Sequence, residues 1–324
     1  MIRISIVTPS YNQGQFLEQT IQSVLSQKYK NLQYIIIDGG STDSSLEIIK
    51  RYEKYLDFWI SEPDSGQGEA INKGLSRCNG EVFNWINSDD LLAEGCLDYV
   101  GRAFADADID ILGGSYELFF NNDLGNGKPI AYNAIKDIYH TIGNSLIHQP
   151  STFIRFAKLN DLGILNESLK FIMDQDLWIR YLLRFGKNRI QITDKILAHF
   201  RMHESSKTFN FGNNRFWDER DSYFYTIAKS AGLVKQAEAM KIQNTNIVEL
   251  FLNILEVPLD KALITKSINS LYEVRARQFI YEQSYSEAQK SIRVISDKYL
   301  FLLLYLRLKA DMLIRKTRKY FPKR

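Results

Sequence analysis

The sequence predicts an α/β protein, a mostly parallel sheet flanked by helices that gives way to an all-helical region near residue 218. Two observations predict it. Strand-like apolar runs alternate with helical spacing from residue 4 to residue 86, the rhythm of strands joined by crossover helices. The loops that follow the strands, TPSYN, DGGSTD, EPDSGQG and NSDD, hold small residues and carboxylates, as suits the ligand-binding edge of such a sheet.

The elements follow in order. ISIVTP (4–9) reads as a buried strand, and QFLEQTIQSVLSQ (15–27) as a helix with Leu17, Ile21 and Leu25 on one face. QYIIID (33–38) is a second strand ending on Asp38. The helix within GGSTDSSLEIIKRY starts where Ser44 and Glu47 have capping-box spacing, and LDFWIS (56–61) is a third strand. GQGEAINKGLSRCNG is a helix closed by Gly80, and VFNWI (82–86) a fourth strand. After residue 108 the rhythm loosens. IDILGGSYELFF reads as a strand, LGNGKP as a loop and IGNSLIHQPSTFIR as an extended segment with a polar interruption. MDQDLWIRYLLRFG (173–186) places Leu177, Tyr181 and Arg184 at helical spacing, and NRIQITDKILAHFRMH returns to strand character. The expected organisation is one domain over 1–217 and a helical region over 218–324.

Cys78 and Cys96 are the only cysteines, with no CxxC pair, so neither a disulfide frame nor a structural zinc site is expected. MIRISIVTPSYN enters a strand at once rather than a leader peptide, which leads us to expect a cytoplasmic protein. The net charge of +3 hides an asymmetry. Residues 298–324 hold nine Lys/Arg against Asp311, a balance of +8 that leaves −5 for the rest. A mildly acidic body argues against a nucleic-acid groove, and a basic tail argues for an anionic partner. The longest apolar run, YLFLLLYL, is far short of the roughly 18–20 residues of a membrane span.

NSDD poses the chemical question. Adjacent aspartates repel and raise one another's pKa, so Asp89 and Asp90 imply either a helix cap or a cation site. A hard divalent cation such as Mn2+ or Mg2+ takes carboxylate oxygens and leaves positions for phosphates, and it stabilises a departing diphosphate. DGGSTD alone is equally a tight turn with a helix cap. Its GG lacks the GxGxxG spacing of dinucleotide sites.

IVTPSYNQGQFLEQTIQSVLSQ, YIIIDGGSTDSS, EPDSGQGEAINKG, GEVFNWINSDD and MDQDLWIRYL, in that order, resemble the inverting glycosyltransferases of family 2, which have the GT-A fold. The resemblance covers roughly residues 3 to 210. It implies a Rossmann-like GT-A mixed central sheet flanked by helices, with an all-helical C-terminal extension. It also implies metal-dependent transfer of a hexose or N-acetylhexosamine, with inversion, from a UDP-sugar to a hydroxyl of a glycan or lipid-linked saccharide in cell-surface polysaccharide synthesis.

Residue by residue, the resemblance makes Asp38 the reader of the base, with Thr8, Pro9 and Tyr11 packed around it. Asp64 and Asn72 line the nucleotide pocket. The family's DxD aligns with Asn87, Ser88 and Asp89, which makes Asp89 a metal ligand; Asn87, in place of the first aspartate, meets the ribose. Asp174 is the base that deprotonates the acceptor, and Asp176 is its reserve. Met173 replaces the family's usual glutamate. HFRMHESSKT resembles the RxHxxS segment over the diphosphate, which assigns Arg201 to the nucleotide and His203 to the metal. His148, Gln149 and Asp90 are candidates for the sugar and acceptor.

Two rivals stand beside this reading. A nucleotidyltransferase needs a glycine-rich basic loop that TPSYNQGQ lacks, and an inactive nucleotide-sugar-binding protein finds support in Asn87 and Met173. KYLFLLLYLRLKADMLIRKTRKYFPKR reads either as a helix packed on the body or as an interfacial helix drawn to anionic lipid.

Overall fold

The computed structural model describes residues 1–105, 108–120, 129–130, 137–204, 206, 214–252 and 259–320. It divides into two compact units, residues 1–134 with 146–213, and residues 135–145 with 214–324. The first is built on β1 (Ile4–Ser10), β2 (Leu32–Asp38), β3 (Phe58–Ser61) and β4 (Val82–Trp85), joined by α1 (Gly14–Leu25), α2 (Ser45–Tyr52) and α3 (Gln67–Leu75). These strands are parallel in the order β3-β2-β1-β4. β1 and β4 are buried at every residue, as a sheet covered on both faces requires.

Beyond β4 the sheet becomes mixed. β5 (Leu91–Leu92) leads into α4 (Cys96–Ala103), and β6 (Ile111–Phe120), β7 (Pro129–Ile130), β8 (Thr152–Arg155) and β9 (Ile190–Met202) complete the order β4-β8-β6-β9-β5, with β7 on β6. β8 is antiparallel to β4 and β6, whereas β9 runs parallel to β6 and antiparallel to β5. α6 (Phe156–Leu162) and α7 (Met173–Phe185) lie between β8 and β9 in the chain. Leu17, Ile21 and Val24 of α1 and Ile48 and Ile49 of α2 pack on Ile4, Ile6 and Ile36 of the strands. Each such side chain contributes about 1.5–3 kcal/mol on burial.

Three local expectations are corrected. The Ser44 side chain caps nothing; Asp43 instead accepts the Ser45 amide at 2.9 Å. α3 ends at Leu75, and Gly80 lies where the chain crosses β1: a Cβ there would stand 2.6 Å from Ser5 Oγ. The segment 142–155 is not simply extended, since it includes the end of α5 (Ile138–Asn144) before β8. Of the expected LGNGKP loop, 124–128 lies outside the described residues and Pro129 begins β7.

The second unit is helical, as expected: α5, α8 (Asn214–Ser230), α9 (Val234–Gln243), α10 (Lys261–Tyr281), α11 (Tyr285–Val294) and α12 (Lys298–Tyr320). α10 is its spine and packs against α5, α8, α11 and α12. Asp260 caps α10 by accepting the Ala262 and Leu263 amides at 2.8 and 3.0 Å. α5 approaches α10 so closely that a Cβ at Gly143 would sit 2.3 Å from the Ser267 carbonyl oxygen. Backbone cannot yield there as a side chain can, so Gly143→Ala is expected to lower stability by about 1–3 kcal/mol in urea titrations.

Candidate functional site

The carboxyl ends of β1 to β4 deliver four loops to one edge, and backbone donors clasp the first two together. Asn12, at φ 51°, offers its amide to Ser41 Oγ at 2.8 Å, and its Oδ1 accepts the Thr42 amide at 2.8 Å. Asp43 Oδ2 accepts the Gly14 amide that opens α1, at 2.8 Å. Burial works to raise the Asp43 pKa, but hydrogen bonds from Ser45 and Gly14 outweigh it and hold the carboxyl below its ordinary range.

Asp38 is fully buried under this clasp. It accepts the Ser41 amide at 2.9 Å, the Ser41 hydroxyl at 2.6 Å and the Ser61 hydroxyl at 2.7 Å, so in this structure its carboxylate faces its own loop. Thr8 and Pro9 are buried too, the Thr8 hydroxyl sharing a 3.1 Å hydrogen bond with the Tyr34 hydroxyl. Tyr11 is open, at 61% exposure, and supplies a free ring at the edge. Asp64 is half-buried and accepts the Gly66 amide at 2.9 Å; burial pushes its carboxyl up. A Cβ at Gly39 would lie 2.8 Å from Asp64 Oδ2, so only glycine leaves Asp64 in place.

The two aspartates of NSDD have opposite surroundings. Asp90 is buried, accepting the Arg201 amide at 3.0 Å on Oδ1 and the Asn87 side-chain amide at 3.1 Å on Oδ2. Burial, and after it the Asp89 charge, push the Asp90 carboxyl well above its ordinary value. Its two oxygens are engaged by Arg201 and Asn87 inside the fold rather than turned to the sugar or acceptor to which the sequence assigned it. Asp89 is half-buried, with Oδ2 3.0 Å from His203 Nε2. The two residues assigned to a metal, 114 apart in sequence, therefore meet. A hard cation would find a carboxylate and an imidazole here. Among the described residues no group of three or more His, Cys, Asp or Glu gathers to hold a metal.

Arg201 is fully buried rather than turned to a phosphate, which corrects its assignment. Phe16 and Phe119 sandwich its guanidinium at 4.6 and 4.5 Å. Nε donates to the Asp89 carbonyl at 2.8 Å and Nη2 to Gln19 Oε1 at 2.6 Å, while burial lowers the pKa. Thr20 completes the support, donating to the Ser88 and Asp90 carbonyls at 2.9 and 2.8 Å. Nothing in the local sequence marks Phe16, Gln19, Thr20 or Phe119 as partners of the loop.

The amino end of α3 borders NSDD, and the amino end of α7 packs on that of α3. Gln67 donates to Asn87 Oδ1 at 2.7 Å, and Met173 Sδ would lie 3.5 Å from a Cβ on Gly68. Asp174, in the first turn of α7, is half-buried beside buried Met173 and Trp178. Four residues on, the buried Trp178 indole N–H makes no hydrogen bond among the described residues. Three assignments fail. Asp176 is fully buried in an ion pair with Arg180 at 2.9 Å. Asn72 joins α3 to Leu165 and Glu167 rather than facing a nucleotide. Gln149 is buried and hydrogen-bonded to Asn84 and the Trp85 carbonyl. His148 packs on the Tyr116 ring at 5.0 Å, and burial lowers its pKa.

Two measurements check this architecture. Arg201→Lys keeps the charge but loses the planar stack, and is expected to lower unfolding free energy by about 1–3 kcal/mol. Asp43 has a depressed pKa, so its contribution is present above the unfolded value of 3.8 and lost as pH falls through the lower folded one. Asp43→Asn is expected to cost about 1 kcal/mol at neutral pH and to flatten that acid loss, read from denaturation midpoints against pH.

Residues 5–163 match the family model described as Glycosyl transferase family 2. An uncharacterized glycosyltransferase of Rickettsia typhi is 27% identical over 216 residues, which span 63% of this chain and 65% of that protein, just under two thirds of its length. The crystal structure of S. aureus TarS 1-349 in complex with UDP-GlcNAc aligns with a TM-score of 0.58 at 19% identity, over 96% of this chain and 88% of that one. Mannosyltransferase PcManGT from Pyrobaculum calidifontis, in complex with GDP-Man and Mn2+, aligns with a TM-score of 0.52 at 14% identity, over 100% of this chain and 88% of that one. Strand order, motif order and these likenesses agree: residues 5–163 are a glycosyl transferase family 2 domain, and the sheet has the GT-A-like fold of these structures.

Proposed function

We propose that this protein is a metal-dependent inverting glycosyltransferase. It moves a hexose or N-acetylhexosamine from a nucleotide-sugar, in the first instance a UDP-sugar, to a hydroxyl of a glycan or lipid-linked saccharide in the cytoplasm, toward cell-surface polysaccharide. The observation that carries this reading is the Asp89–His203 pair at the sheet edge, 3.0 Å apart, with Asp89 on a loop that the amino end of α3 borders through Gln67 and Asn87. That TarS is crystallised with UDP-GlcNAc and PcManGT with GDP-Man and Mn2+ supports it by likeness of fold.

Donor binding is assigned to the sheet unit within residues 1–217, residues 135–145 and 214–217 being part of the helical unit that holds 218–324. The Tyr11 ring and Asp64 line the nucleotide, while Asp38 and Asp43 hold the loops beneath. Asp89 and His203 would hold Mn2+ or Mg2+, two ligands being the set that leaves coordination positions to diphosphate oxygens. Such an ion neutralises charge on the departing diphosphate. Asp174 takes the proton from the acceptor hydroxyl as that oxygen bonds to the anomeric carbon and the opposite bond to diphosphate breaks. Asn87, fixed by Gln67 and Asp90, orients the ribose side of the pocket.

The test is nucleotide release from UDP-, GDP- and dTDP-sugars with Mn2+, Mg2+ or EDTA, with nucleotide binding read in the same samples. Wild type is expected to release nucleotide from one donor class, with EDTA abolishing release and Asp89→Asn lowering it by about 10²-fold or more. Asp174→Asn is expected to bind donor normally and to lose about 10²–10⁴ in kcat for transfer. Unchanged turnover in Asp174→Asn would remove that residue from the reaction. Failure of both metal and UDP to bind would end the reading.

A further inference from the structure

α12 is apolar on two opposite sides. Leu304 and Leu308 are buried on the side that packs against α10 and α11. At 3.6 residues per turn Tyr299, Leu302, Leu306 and Leu313 fall on the other side, and their exposures of 78%, 53%, 58% and 63% leave that stripe uncovered. Lys298 and Lys309, both exposed, edge it. The single acid of the helix, Asp311, is drawn to the inner side, where the Tyr285 hydroxyl of α11 donates to Oδ2 at 2.8 Å. After Asp311 the sequence adds Arg315, Lys316, Arg318, Lys319, Lys323 and Arg324, and no acid.

We propose that the outer face of α12 is a membrane-surface site whose partner is a bilayer of anionic phospholipid. The helix lies flat, its leucines among the upper acyl chains and its lysines against phosphate groups. Charge selects this partner. A second copy meeting this face would set two segments of +8 together with no outward acid to receive them. A nucleic acid would satisfy the lysines and leave four large apolar side chains in water. No helix among the described residues is long and apolar enough to cross a membrane, so contact is confined to one leaflet. The proposal is independent of the donor-sugar reading.

The experiment is sedimentation of the full chain with phosphatidylcholine vesicles, with and without phosphatidylglycerol, at low and high salt. The Leu302→Asn/Leu306→Asn/Leu313→Asn variant changes only exposed side chains, and its fold is checked by circular dichroism. Wild type is expected to bind phosphatidylglycerol vesicles at least about tenfold more tightly than phosphatidylcholine alone, less tightly in high salt, and the variant at least about tenfold more weakly than wild type. Equal sedimentation of variant and wild type would overturn the proposal, as would no binding to phosphatidylglycerol vesicles. So would a dimer in sedimentation velocity that the substitutions abolish while vesicles go unbound, which would assign the face to a second copy.

Discussion

The guanidinium of Arg201, held between the rings of Phe16 and Phe119, is the interaction on which the candidate site depends. A buried cation is tolerated only when its donors are satisfied, and here they reach the Asp89 carbonyl and Gln19 while the backbone amide of the same residue reaches Asp90. One residue of β9 thereby fixes both aspartates of a distant loop. His203, two residues on, comes to Asp89 on the same face of the strand, and its ring packs on Phe16 at 4.6 Å. The helix that covers the sheet and the loop that carries the chemistry share one aromatic side chain.

This explains how two adjacent like charges can end a buried strand. They are not equivalent groups. Asp90 is placed among donors and out of water, where burial disfavours its charge, and Asp89 is left at the edge. A related arrangement recurs at the first two loops, where Asp38 accepts from Ser41 and from Ser61 of β3, and Asp43 from Ser45 and from Gly14 of α1. These bonds leave the exposed Tyr11 and the half-buried Asp64 at the edge, and Gly39 keeps room for the second of them.

The parallel half of the sheet was legible because β1 to β4 and their helices are specified locally, by apolar runs and helical spacing within a few residues. The mixed half was only partly so. β8 sits between β4 and β6 in the sheet, which local periodicity does not encode, and α5 leaves its sequence neighbours to pack on α10. At the site, the sequence marks residue types suited to chemistry but cannot separate a contact from a support. Asn72, Gln149 and Asp176 have the chemistry of contacts, yet each is buried and hydrogen-bonded within the fold, as polar groups removed from water must be. The Ser44–Glu47 spacing misled for a related reason: Asp43, one residue earlier, took the amide. The meeting of Asp89 with His203 was legible only through the ordered motifs.

The separation of these partners bears on how the chain reaches its native state. Asp90 and Arg201 are 111 residues apart, against 28 for the β1–β2 pair Ile4 and Leu32 and 78 for the β1–β4 pair Ile4 and Val82. Loop-closure entropy makes such long-range contacts slow to form and dependent on the strands already laid down. The edge of the sheet that carries the paired aspartates therefore depends on a strand, β9, whose Arg201 is laid down more than a hundred residues after it. A chain cut before residue 201 would lack both side chains, Arg201 and His203, that hold the paired aspartates.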